Sequence, residues 1–121
     1  MGLYDIELVY IESDWEDYQS GETQLVQWKI SKHDNLYKLH VEHTNIDVFG
    51  REWGNQIVFK KYQNFDDKVD GCDDYNKLAI YLSPGPYDLS IEGNGESELH
   101  QCSPTEEKYY KEKVKINGEL R

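Results

Sequence analysis

The chain has 121 residues, and its 24 Asp and Glu against 13 Lys and Arg give a formal net charge of −11. Charge of that sign repels nucleic acid and attracts basic surfaces, so a basic protein is the expected partner, and neither nucleic acid nor a membrane is. No apolar run approaches the roughly 18 residues of a spanning helix, and Met1–Leu8 lacks the basic start of a secretory signal, so a cytoplasmic chain folded as one domain is expected.

One alanine, Ala79, stands against ten Tyr, three Trp and three Phe, a composition suited to pleated, half-buried surfaces. Leu3–Glu12 alternates, with Ile6, Leu8 and Tyr10 on one face and Asp5 and Glu7 on the other. After an acidic loop from Ser13 to Thr23, Gln24–Ser31 places Val26, Trp28 and Ile30 together. The Asp34-Asn35 turn then leads to Leu36–His43, with Tyr37, Leu39 and Val41 inward and Lys38, His40 and Glu42 outward. A short connection through Gly50 precedes a strand over Glu52–Tyr62, whose parity groups Trp53 with Ile57 and Phe59. Gln63–Asn76 reads as a polar loop and Leu78–Ser83 as a compact apolar strand. Pro84-Gly85-Pro86 turns the chain into Tyr87–Glu92, where Tyr87, Leu89 and Ile91 alternate. A loop at Gly93-Asn94-Gly95 and a weak strand near Glu98–Cys102 follow. Ser103-Pro104-Thr105-Glu106 fits a capping box for one helical turn, and the last strand is Lys111–Asn117.

About seven or eight short strands with turn signals between them predict an all-β antiparallel sandwich, with a small β-barrel as the alternative. The expected core contains Trp28, Leu39, Val41, Ile57, Phe59, Ile80, Tyr87, Leu89, Ile91 and Val114. The segment Leu82–Ile91 resembles the proline-glycine turn and tyrosine-bearing late strand of fibronectin-like β-sandwich domains. That resemblance implies architecture and no activity.

No catalytic motif is present: there is no Gly-x-Ser-x-Gly elbow and no Gly-rich phosphate loop, and neither Cys72 nor Cys102 has a catalytic context. A non-enzyme without cofactor is the expectation. The run Asp66–Asp74 can be set on a helix-loop-helix calcium loop with Gly71 at its sixth position. Lys68 and Lys77 then occupy the third and twelfth positions, where oxygen ligands are needed, so no metal site is expected. His40 and His43 point opposite ways on a strand and cannot share a zinc. Two thiols form no disulfide framework, and in a reducing compartment both stay free. A Cys72–Cys102 bridge is the alternative for an exported chain.

The candidate partner-binding residues are Asp14, Trp15, Glu16, Asp17 and Tyr18 in the first acidic run, with Trp15 an aromatic anchor ringed by charge, and Asp66, Asp67, Asp70, Asp73 and Asp74 in the second. Carboxylates can occupy the Lys and Arg sites that otherwise hold phosphates. An inhibitor or immunity protein that blocks a nuclease, toxin or defence effector is therefore the expected function. In size, acidity and the Pro-Gly-x-Tyr-x-Leu segment the chain resembles bacterial nuclease inhibitors and toxin immunity proteins. The alternative is a carbohydrate- or ligand-binding module, which requires an exposed tryptophan outside the core.

Overall fold

The computed structural model describes residues 1–14, 20–65, 74–102 and 107–121. Eight strands follow one another: β1 (Leu3–Ser13), β2 (Thr23–His33), β3 (Leu36–Val41), β4 (Asp47–Trp53), β5 (Gln56–Phe65), β6 (Asp74–Pro84), β7 (Ser90–Cys102) and β8 (Glu107–Leu120). Each pairs antiparallel with the next, and β8 returns to pair with β1, so one sheet closes into a barrel. The fold is thus all-β, in the barrel form of the two architectures that alternation allows. Two separate sheets do not form, because β1 spends its hydrogen bonds on β2 along one side and on β8 along the other, which leaves no open edge.

Alternation decides what enters the barrel. Tyr4, Ile6, Trp28, Ile30, Leu39, Val48, Ile57, Phe59, Ile80, Leu82, Ile91, Val114 and Ile116 are all buried in its interior, with Val41 packed against them. Interior tyrosines keep their hydroxyls bonded: Tyr4 donates to the Asp88 carbonyl at 2.7 Å, Tyr10 to Gln24 Oε1 at 2.8 Å and Tyr37 to Glu52 Oε1 at 2.5 Å. The outward positions carry charged residues such as Asp5, Glu7, Lys29 and Lys60, unlike the apolar outer band of a barrel that spans a membrane. No helix among the described residues is long and apolar enough to cross one either.

Two expected core residues, Tyr87 and Leu89, and the face expected for Trp53 are corrected. The strand expected over Glu52–Tyr62 is interrupted by a two-residue turn at Gly54-Asn55, where Gly54 supplies a φ of 62°. Parity must therefore be counted from Val48 and Gly50 on β4, and this sends Trp53 to the outer face, 79% exposed. Tyr87 and Leu89 belong to a 3-10 turn at Pro86–Asp88 and its exit rather than to a strand, and both are exposed. Three glycines expected in connections, Gly50, Gly93 and Gly95, lie inside strands instead. Gly93 runs so close to β6 that a Cβ there would collide with the Tyr81 carbonyl, and one at Gly50 would meet the Val58 carbonyl and the Phe59 ring.

Because the strands run up and down in turn, alternate connections share an end of the barrel. Asp34-Asn35, Gly54-Asn55 and the Pro86–Asp88 turn sit at one end with both termini. Ser13, Thr23, Phe65 and Asp74, the strand ends that flank the two acidic runs, are at the other. Cys72, the side chain of Cys102 and the capping-box segment 103–106 lie outside what is described.

Candidate functional site

The strand that buries Tyr4 and Ile6 must turn Asp5 and Glu7 outward. Register then gathers further carboxylates around them. Asp5 lies opposite Glu119 of β8 on one side and Gln27 of β2 on the other, while Glu7 lies opposite Asn117 and Leu25. One strand further, β7 places Ser90 opposite Glu119 and Glu92 opposite Asn117. Asp5, Glu7, Glu92 and Glu119 thus occupy two adjoining rows across β7, β8 and β1. At the far side Glu42 closes the row, its N–H donating to the Gln27 carbonyl at 2.9 Å. A groove of about 840 Å³ runs among these side chains.

The electrostatics of this wall are unbalanced. Side chains directly opposite across an antiparallel pair have Cβ atoms about 4.5–5.5 Å apart, and like charges there are destabilising. Asp5 and Glu119 stand in that relation. Gln27 Nε2 donates to Asp5 Oδ1 at 3.0 Å, which satisfies an oxygen without neutralising its charge. Among the described residues no Lys or Arg pairs with any of the five acids. Four of the barrel's cations pair with other carboxylates, Lys111 with Glu98, Lys113 with Glu12, Lys32 with Glu52 and Lys38 with Asp47. Leu25 projects from the row of Glu7, 77% exposed. The wall can accept charge-assisted hydrogen bonds from Lys or Arg around one apolar contact.

The sequence-predicted residues fall differently. Asp14 is bound to the fold: its N–H donates to the Lys111 carbonyl, and its Oδ2 accepts from the Lys111 N–H, both at 3.0 Å, which extends the β1–β8 ladder. Asp74 opens β6 opposite Phe65. Both stand at the barrel end from which the acidic runs leave. Trp15, Glu16, Asp17, Tyr18, Asp66, Asp67, Asp70 and Asp73 lie outside the described residues. The wall itself was missed by sequence reasoning. The outward parity of Asp5 and Glu7 was visible in β1, but the closure that brings Glu119 and Glu92 beside them was not.

Other ionisable groups have local partners. His40 Nδ1 is 2.7 Å from Asp47 Oδ1, and His100 Nε2 is 2.7 Å from Glu107 Oε1. His43 lies in the β3–β4 turn with a φ of 67°, beyond the end of the strand expected to carry it. The described residues contain no group of three His, Cys, Asp or Glu able to hold a metal. Glu112 points into the barrel, where it lines a cavity of about 90 Å³ with Leu8, Trp28, Leu78 and Ser97. Burial there pushes its carboxyl above the usual range. No protein-family model matches the chain, and comparison with curated proteins returned no similar sequence.

Proposed function

We propose that this is a small acidic binding protein that engages a basic protein partner through the wall of Asp5, Glu7, Glu92 and Glu119, and so blocks the partner's anion-binding surface. The observation that carries the reading is the opposition of Asp5 and Glu119 with no cation paired to either among the described residues. Such an arrangement costs stability in the free protein, and a partner's Lys and Arg placed between the carboxylates remove that cost on binding. A nuclease, toxin or defence effector, whose working surface holds phosphate, presents suitable cations. The acidic runs that follow Asp14 and precede Asp74 in the sequence add to the net negative charge, which accelerates encounter at low salt.

Affinity capture from the source cells tests this. The wild-type chain should retain a basic protein that the triple variant Asp5→Asn, Glu7→Gln, Glu119→Gln does not, and capture should fail at high salt. Recovery of the same proteins by both chains would remove the wall from the account.

A further inference from the structure

The barrel side opposite the acidic wall has a different chemistry. Along the outer face of β4 the side chains of Phe49, Arg51 and Trp53 follow one another, and at ~3.3 Å per residue the two aromatics stand about 13 Å apart with the guanidinium between them. Trp53 is 79% exposed and Phe49 50%. Register places Val58 of β5 opposite Arg51, and Tyr81 of β6 opposite Val58, which makes an apolar floor. Lys60 lines the same groove, whose volume is about 460 Å³.

Charge sets this groove apart within a chain of net charge −11. Its one carboxylate, Glu52, is occupied, accepting from the Tyr37 hydroxyl at 2.5 Å and pairing with Lys32 at 3.6 Å. Neither Arg51 nor Lys60 pairs with a carboxylate among the described residues. Two available cations beside the exposed faces of Trp53 and Phe49 call for an occupant that is anionic and also has flat apolar faces.

We infer that this groove binds an anionic saccharide, one whose rings carry carboxylate or sulfate. Pyranose rings present C–H faces to Trp53 and Phe49, and their anions accept bidentate hydrogen bonds from Arg51 and charge from Lys60. An acidic peptide fits less well, because extended peptides gain affinity by adding a strand to a sheet edge, and a closed barrel offers none. A single-stranded nucleic acid meets the same net charge and the same aromatic faces as an anionic saccharide, so its binding is an outcome that the oligothymidylate comparison separates. The inference concerns a face separate from the acidic wall and stands independently of it.

Calorimetric titration with oligogalacturonate and with a chondroitin sulfate oligosaccharide is the test, with a neutral cello-oligosaccharide, oligothymidylate and polyglutamate as comparators. At least one anionic saccharide should bind, and at least about tenfold more tightly than the neutral one, with Trp53→Ala weakening it about tenfold or more and Arg51→Gln about fivefold. The Arg51→Gln change should also flatten the salt dependence. Both side chains project from the barrel, so the variants should melt like the parent. The inference is overturned if neither anionic saccharide binds, if both variants keep parental affinity, or if oligothymidylate or polyglutamate binds as tightly as the better saccharide.

Discussion

Replacing Glu119 with Lys should stabilise the free protein and weaken its binding to a basic partner, and the two effects together diagnose a wall kept acidic for recognition. The substitution converts the like-charged Asp5–Glu119 cross-strand pair into an oppositely charged one. Relief of the repulsion and gain of an attraction are each worth about 0.2–1 kcal/mol at such a position, so the sum is about 1 kcal/mol. For a chain of this size that corresponds to a melting temperature higher by about 4 °C. The Debye length falls from about 10 Å at 0.1 M salt to about 3 Å at 1 M, so most of the gain should vanish at high salt. Thermal unfolding followed by circular dichroism at both salts gives the stability, and surface plasmon resonance with the captured partner gives the affinity. An unchanged or lower melting temperature at low salt would refute the electrostatic reading of the wall. Stabilisation together with unchanged partner affinity would refute its role in binding.

Glu112→Gln should stabilise the protein near neutrality. Burial raises the carboxyl's folded-state pKa, so its stabilising contribution is complete below the ordinary value of 4.5 and is lost as pH rises through the raised folded value. Urea unfolding across pH should therefore show an advantage for Gln at about pH 7 that disappears below about pH 4.5; an equal advantage at every pH would place Glu112 in solvent. In the core, Phe59→Ala should cost about 3–5 kcal/mol in urea unfolding, because the ring is fully buried. Trp53→Ala should cost less than about 1 kcal/mol, and a loss comparable to that of Phe59 would contradict the outer placement of this tryptophan.

Most strands were legible because period-two alternation is a local property, and Ile6, Trp28, Ile30, Leu39 and Phe59 all lie on the faces that alternation assigns them, whereas Gly93–Gly95 and the two ends of Gln63–Asn76, expected as loops, are strand. Closure was not, since the pairing of β1 with β8 joins residues from opposite ends of the chain, and sandwich and barrel share one alternation. Trp53 shows how narrow the margin is. One unrecognised two-residue turn at Gly54-Asn55 reversed its face, and with it an apparent core residue became the most exposed aromatic of a groove. Gly50 and Gly93 misled in another way, because glycine marks both turns and close strand contacts, and only the neighbouring strand tells the two apart. The acidic wall has no sequence motif, since its four carboxylates come from three strands that only the register brings together.

The central claim is that Asp5, Glu7, Glu92 and Glu119 meet the partner's cations, and zero-length carbodiimide cross-linking of the captured complex tests it most directly, since it joins carboxylates only to amines in contact with them. Of the 24 acidic residues in the chain, those four should carry the cross-links to partner lysines, and the yield should fall with salt. Cross-links confined to other carboxylates, with these four left unmodified by the partner, would contradict the account.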